Sequence, residues 1–553
     1  MATLKLINGY PESMRESIKK VEETRAGRIG KLPEPMSLDA RKDILDLCHP
    51  DFAEGGKREV KLGVSKGILA TNEVADLLEA YPLVDKEDID LNKVDYEVDL
   101  LVIGGGMAGT GACILANDNG IPTNKILLVN KLRHGDSNSI MAQGGTQAAD
   151  RPEDSPVRHF MDALGGGHFT NKKDVLKALC EDGPVAMKWM ADLGVMLDRE
   201  ADGTYTELLG GGTSRRRMHA AKDYTGLEEL RCMKDEFLSR EIPSLEFYPV
   251  VELLSDGTKV TGALLWGLET HEYKVVRAKA TVLATGGFGR LHVRGFPTSN
   301  HYGATGDGLA LAYRVGAKLL DTDTVQYHPT GAAYPQQLIG QLITEKIRSK
   351  GAQPVNIKGE TFVYPLEPRD IEASAFIKEC YIKNLGIPTP AGMMGIWLDT
   401  PLINIIHGEG ATDKIFPCMV RMFNKFGIDI AKDPILIFPT LHYQNGGVET
   451  DPNCLTNIDG LFVAGEVSGG VHGKNRLMGN STLDCIVFGR RAGIAAAKYI
   501  KNQSSHGKLS LDHLDGYVAE LQEAKIDTGK VSPMLLPDYR GRAALARMID
   551  VVW

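Results

Sequence analysis

No two of the eight cysteines, Cys48, Cys113, Cys180, Cys232, Cys380, Cys418, Cys454 and Cys485, lie within three residues of each other. That excludes a C-x2-C ligand pair for a metal ion or an iron–sulfur cluster. Buried, inert thiols in a reducing compartment are expected instead, and no metal site. Long apolar runs are also missing. The longest, such as residues 100–103 and 126–129, fall far short of the ~18–20 residues that span a bilayer. The first thirty residues are polar and charged, with neither an apolar core nor a twin arginine, so a cytoplasmic protein without a membrane span is expected. Basic charge is scarce too: 63 Lys and Arg against 72 Asp and Glu leave a net charge of −9. A nucleic-acid partner, which calls for a basic stripe, is not expected. With 43% hydrophobic and 24% charged residues, disorder is excluded as the main theme. A length of 553 residues suggests roughly two to four structural units.

Glycine is what the chain has in excess: 61 of 553 residues, about 11% against roughly 7% in ordinary proteins. Without a collagen period, such an excess marks tight turns and close approaches of backbone to a ligand. Residues 1–95 take little part in it. They are rich in charge and punctuated by Leu32-Pro33-Glu34-Pro35 and Glu54-Gly55-Gly56. The spacing predicts an amphipathic helix over 71–81, with Val74, Leu77, Leu78 and Tyr81 on one face. This segment reads as an N-terminal extension packed on the main body or on a partner.

The texture changes at Asp95. Residues 96–103 form a strand that becomes continuously apolar, as a buried parallel strand does. It runs into Gly104-Gly105-Gly106-Met107-Ala108-Gly109, a helix over 110–119 and a second strand over 125–129. Strand, glycine turn, helix and strand within about 35 residues make the dinucleotide fingerprint in its required context. Gly104 permits the tight turn, Gly106 lets backbone N–H groups reach a pyrophosphate, and Gly109 lets helix and strand pack closely. Met107 and Ala108 open the helix, whose N-terminus faces the phosphate charge. The second strand ends on Asn130 and Lys131 where an acid usually holds ribose hydroxyls, so no particular nucleotide is favoured there. No second G-x-G-x-x-G occurs in strand–helix context. One permanently held dinucleotide points to flavin rather than nicotinamide.

Further glycine-dense segments follow: Ser137-Asn138-Ser139-Ile140-Met141-Ala142-Gln143-Gly144-Gly145, then Leu283-Ala284-Thr285-Gly286-Gly287-Phe288-Gly289. Thr305-Gly306-Asp307-Gly308 and Asp459-Gly460-Leu461-Phe462-Val463-Ala464-Gly465-Glu466 come later. Singly, each is as well read as a tight structural turn. Together, over about 96–500, they resemble the succinate dehydrogenase/fumarate reductase flavoprotein family, which also contains L-aspartate oxidase. The loop at Gln143-Gly144-Gly145 lets backbone pass a flat ring system without Cβ collisions. Asp307 and Glu466 are acids suited to sugar and ribityl hydroxyls. The resemblance implies FAD, and adds Asn480 and Ser481 to the cofactor contacts. Family members in membrane complexes carry His at the position of Asn138, where FAD is covalently attached. Asn cannot form that bond, so non-covalent FAD is implied; His134 lies off the motif.

Five separated places resemble the family's catalytic motifs. Tyr327-His328-Pro329-Thr330-Gly331 matches H-P-T-G, Thr344-Glu345-Lys346-Ile347-Arg348 matches T-E-x-x-R, and Pro368-Arg369-Asp370 matches P-R-D. His442-Tyr443 and Arg476-Leu477 complete the set. The resemblance implies that His328, Thr344, Glu345, His442 and Arg476 hold two substrate carboxylates. It also implies that Glu345, Arg348 and Arg369 pass a proton, with Arg369 the terminal acid. The residue types suit that chemistry. Arg binds carboxylates bidentately, and a guanidinium, though a very weak acid, can protonate a carbanion while keeping its charge for binding. Glu345 and Arg348, three apart, share a face if helical. Taken singly these residues have plainer readings: a structural histidine, a helical ion pair worth under ~1 kcal/mol, a loop salt bridge at Arg369-Asp370. Two departures bear on the substrate. Arg348-Ser349-Lys350-Gly351-Ala352 stands where relatives often read R-G-E-G-G, and Tyr443-Gln444-Asn445 where Tyr-Thr-Met is common.

The expected fold is α/β. A Rossmann-type FAD-binding domain (96–332 and 438–505) is interrupted by a smaller α+β capping domain (333–437), with the N-terminal extension (1–95) before it and a short C-terminal segment (506–553) after it. The resemblance implies a flavoprotein subunit that moves hydride between FAD N5 and a C4 dicarboxylate. Its electrons would be exchanged with an iron–sulfur subunit, which could hold it at the inner face of a membrane. The alternatives are an L-aspartate oxidase and a flavin electron-transfer scaffold without dicarboxylate turnover.

Overall fold

The computed structural model describes residues 9–539. Residues 1–8 of the expected extension and 540–553 of the expected C-terminal segment lie outside them. Tyr96–Ile103 is buried from Leu100 onward because it lies inside a seven-stranded sheet. Tyr273–Leu283 flanks it on one side and Ile126–Val129 on the other, both parallel to it. Ser244–Leu245 extends the sheet beyond Ile126–Val129. On the far side, Val250–Ser255 and Val260–Trp266 form an antiparallel meander onto the first half of Tyr273–Leu283. Its second half pairs instead with Leu461–Val463, again in parallel. Five parallel strands from distant parts of the chain therefore end at one edge, where open α/β sheets take their ligands.

The helix after the glycine turn runs Met107–Asp118, three residues ahead of the expected 110–119. The turn is tight enough for helical bonding to begin at once, with Thr110 N–H donating to the Gly106 carbonyl at 3.0 Å. This helix packs on Asn480–Lys501. The approach is close because a Cβ on Gly489 or Gly493 would stand 2.5 or 2.3 Å from a carbonyl oxygen of the nucleotide helix.

A second, antiparallel sheet runs in the order Val325–Ala332, Ile435–Gln444, Met394–Asp399, Gln353–Val355. Its first two strands bring His328 and His442 side by side, and the helix Arg369–Ile377 packs across both. The N-terminal segment covers this sheet. Tyr10, Met14, Ile18, Val21 and Ile44 share one apolar core with Trp397, Phe376 and Phe438. Arg25 and Arg28 both pair with the buried Asp399, at 2.9 and 2.7 Å. Further along, Asp51 accepts a hydrogen bond from Val325 N–H at 3.0 Å. The helix expected over 71–81 is shorter, Asn72–Leu78. It stops where Glu79 turns inward to pair with Arg58 at 2.6 Å, and Tyr81 joins a short strand with Val531. All eight cysteines are free and six are buried. Among the described residues, no helix is long and apolar enough to cross a membrane.

Candidate active site

The parallel strand ends open onto a cavity of about 1730 Å³, counting the space open to solvent. Its wall contains Gly104, Gly106, Met107, Ala108, Asn130, Lys131, Ser137, Asn138, Ser139, Gln143, Gly144 and Gly145. Ala284, Thr285, Gly286, Asp307, Glu466 and Ser481 line it as well, and so do His328, Thr344, Glu345, Arg369, His442 and Arg476. Three residues assigned to the site from sequence are not on the wall. Gly109 lies behind the turn, where a Cβ would stand 1.8 Å from the Gly104 carbonyl oxygen. Arg348 is buried one shell further out. Asn480 is off the wall as well, its amide oxygen meeting His159 Nε2 at 2.8 Å. Asn480 opens a helix, and the ~100° turn per residue that brings Ser481 to the wall carries Asn480 off it.

The residues around the glycine turn fit a dinucleotide. The helix N-terminus at Met107 points its free N–H groups at the cavity, and Ser139 Oγ takes the first of them at 3.2 Å. Buried polar atoms on the wall lack protein partners among the described residues: Asn130 Nδ2, Gln143 Oε1 and Thr285 Oγ1. Such atoms are costly unless a ligand satisfies them. Lys131 pairs with Asp307 at 2.6 Å. Asn138 donates to Asn300 Oδ1 at 2.9 Å and to Glu466 Oε2 at 3.0 Å, while its own oxygen accepts from His301 N–H at 2.6 Å. Burial raises the pKa of Glu466 above the ordinary carboxylate value.

The remaining wall is built from charge. Arg369 donates through Nε to Glu345 Oε2 at 2.8 Å and through Nη1 to Gln326 Oε1 at 3.0 Å. Arg476 donates through Nη2 to the same Gln326 oxygen at 2.7 Å, and its guanidinium lies 4.5 Å from the centre of the Tyr443 ring. Two buried guanidiniums thus converge on one neutral amide, and Arg476 has no carboxylate partner among the described residues. Burial, reinforced by Arg369, pushes the pKa of Arg476 down to about 9, which leaves it charged at neutral pH. Burial likewise lowers that of Arg369, against the pull of Glu345. Burial works against the Glu345 carboxylate, but Arg369 and Arg348 outweigh it and its pKa falls. Glu345 Oε1 also accepts Gly211 N–H at 2.7 Å, and Arg348 lies 3.4 Å from Oε2.

The His328 and His442 rings sit 5.0 Å apart. His328 Nδ1 accepts Thr330 N–H at 3.1 Å, which fixes Nε2 as its N–H donor. His442 Nδ1 is 2.7 Å from Ser299 Oγ. Burial and the neighbouring arginines hold both imidazoles well below their usual pKa, so they are neutral donors. Sequence reasoning missed Gln326, although it stands two residues before His328 and so on the same strand face. It also missed Gly211 and Glu372, the second of which follows Arg369 by three on one helix and shares its face.

Comparison with known proteins agrees with this geometry. The family described as "FAD binding domain" matches residues 99–482. A fumarate reductase (CoM/CoB) chain of Methanothermobacter marburgensis is 36% identical over 425 residues, covering 75% of each chain. An L-aspartate oxidase of Streptomyces coelicolor is 34% identical over 434 residues, covering 75% of this chain and 72% of that one. A solved quinol fumarate reductase of Escherichia coli matches with a TM-score of 0.69 at 32% identity, covering 77% of this chain and 74% of the other. FAD is therefore the cofactor of the cavity. The chain belongs to the FAD-dependent flavoprotein family of fumarate reductases, succinate dehydrogenases and L-aspartate oxidases, and is an oxidoreductase of that type.

Proposed function

We propose that this chain interconverts fumarate and succinate, or a close C4 dicarboxylate pair, as the flavoprotein subunit of a complex. The observation that carries the reading is the convergence of Arg369 and Arg476 on Gln326 Oε1 in the cavity wall. Two buried cations sharing a neutral acceptor are unfavourable until an anion joins them. Arg476 and the neutral donors His442, His328 and Thr344 hold the two carboxylates. Arg476 suits bidentate carboxylate binding. The hydride for one olefinic carbon is what reduced FAD supplies when bound. The other carbon needs a proton, and Arg369 delivers it: Nε and Nη1 are engaged by Glu345 and Gln326, which leaves Nη2 toward the cavity. Glu345 and Arg348 restore that proton.

The flavin is held without a covalent bond, since Asn138 offers no nucleophile at the attachment position. Acid precipitation should leave all FAD in the supernatant, and a yellow pellet would overturn this. Residues 96–332 and 438–505 act as the FAD domain and 333–437 as a cap that carries Arg369 over the cavity and excludes water. Electrons come from an iron–sulfur partner subunit, which also gives any membrane association. The test is anaerobic: chemically reduced protein is mixed with fumarate. Flavin reoxidation with succinate formed supports the reading. Reduction of the oxidised flavin by L-aspartate, with no response of the reduced protein to fumarate, would assign an amino-acid oxidase instead.

A further inference from the structure

The proton that Arg369 gives up must be replaced from solvent, yet Glu345 and Arg348 are both fully buried. Beyond Arg348 the structure continues. Its Nη1 donates to Glu372 Oε2 in a close ion pair. Glu372 has a side chain with no solvent exposure, and its second oxygen, Oε1, has no hydrogen-bond partner among the described residues. Next comes Glu367, whose buried carboxylate acts electrostatically on Glu372. Glu367 Oε1 accepts Met36 N–H at 2.6 Å, and Oε2 lies 2.8 Å from Arg41 Nη2. Arg41 belongs to the N-terminal helix Leu38–Cys48, and its side chain is 29% exposed. A line of ionisable groups therefore runs from the cavity wall toward the surface, joined by ion pairs except between Glu372 and Glu367, which act on each other through space, and it ends on the segment before residue 96.

We propose that Glu372 and Glu367, with Arg41 of the N-terminal segment, form the outer half of the proton path that recharges Arg369. The proposal rests on the reading of Arg369 as the proton donor. In each turnover one proton enters at the Glu367–Arg41 end and passes through Glu372, Arg348 and Glu345. One proton leaves Arg369 for the substrate carbon, and every group returns to its starting state. Glu372 suits the middle position because it has an oxygen to spare. Burial also raises its pKa well above the ordinary carboxylate value, against the pull of Arg348, so it takes up a proton more readily than an exposed carboxylate does. The N-terminal segment is then more than a packing arm, since it supplies the charged group at the solvent end.

The plainer reading makes Glu372 only a counter-ion for Arg348, and kinetics on the FAD-loaded protein separate the two. Arg369 starts each experiment protonated, so a first turnover needs no resupply. Reduced Glu372→Gln mixed with fumarate should therefore reoxidise once within about twofold of the wild-type rate, whereas continuous turnover with reduced methyl viologen should fall about 100-fold. The KM for fumarate should fall in step with kcat, leaving kcat/KM unchanged. Equal slowing of both phases, or of neither, overturns the path. Should Glu372→Gln fail to fold, Glu367→Gln and the surface variant Arg41→Ala must show the same split at smaller size, with Arg41→Lys restoring turnover. Equal effects on both phases again overturn it. Wild-type protein that does not reoxidise with fumarate removes the Arg369 reading itself, and the path with it.

Discussion

The two halves of the cavity are built on opposite principles. The cofactor half is made mainly of backbone: turns at Gly104–Gly106, the loop through Gln143-Gly144-Gly145 and the strand end at Ala284-Thr285-Gly286, assisted by polar side chains and the mutually neutralised Lys131–Asp307 pair. The other half is made of buried charge, with Arg348, Arg369 and Arg476 facing Glu345 and Glu372. The first binds by shape and by helix-end N–H groups, and tolerates no added atom. The second stores an electrostatic imbalance that a dianion relieves, and tolerates no lost charge. Substitutions should therefore fail in different ways on the two sides.

The largest effect is expected in the cofactor half. Gly109→Ala would place a Cβ against the Gly104 carbonyl oxygen at 1.8 Å, a backbone contact that cannot swing aside. The turn must open, at a cost of about 1–3 kcal/mol or more. FAD content after gel filtration should collapse, and activity with it. Retention of full flavin would show that the turn is less constrained than its geometry implies. Arg476→Met should behave in the contrary way. Flavin content stays, while the KM for fumarate rises about 100-fold or more as one carboxylate loses its partner. Because the variant also removes a buried cation that has no counter-charge, the substrate-free protein should melt about 1–2 °C higher. A lower melting temperature would mean that Arg476 is structural.

That contrast also explains what could be read before the structure. The requirement for glycine in the cofactor half is local, so strand, turn and helix were legible in a few dozen residues. Only the helix start was displaced, to Met107. That Asn480 stands off the cavity wall while Ser481 lines it was not legible, because adjacent residues at a helix start point in different directions, which spacing in the chain does not reveal. The charged half was legible only through resemblance, since His328 and His442 sit on neighbouring strands of one sheet while Glu345 and Arg369 come from two separate helix starts and Arg476 from a loop far along the chain. Gln326 and Glu372 each sat at a readable offset from a residue already chosen, two along a strand and three along a helix. Arg41 had no such signal: its pairing with Glu367 spans 326 positions of the chain. Nor did the N-terminal segment announce that Met14, Ile18 and Val21 would share the core of Trp397 and Phe376.

The smallest predicted effect lies at the seam next to Arg369. His168 Nε2 is 2.7 Å from Asp370 Oδ2, and this hydrogen bond raises the His168 pKa, against burial and the nearby Lys474. The buried His49 also faces Asp370 from the N-terminal segment. Unfolded, the imidazole titrates near 6.5. The pair therefore contributes its full stability below about pH 6.5 and loses it as pH rises through the higher folded value. His168 is 42% exposed on its side chain, so the gain is modest. His168→Gln should lower the melting temperature slightly at pH 6 and not at all at pH 9. A difference that persists at pH 9 would assign the effect to packing.

The separation of binding from proton delivery is tested most directly by Arg369→Gln, loaded with FAD and reduced without oxygen. Addition of fumarate should perturb the flavin spectrum, as a bound dicarboxylate does, while reoxidation and succinate formation fall by at least ~1000-fold. Reoxidation at the wild-type rate would contradict the account, because some other group would then be protonating the substrate carbon.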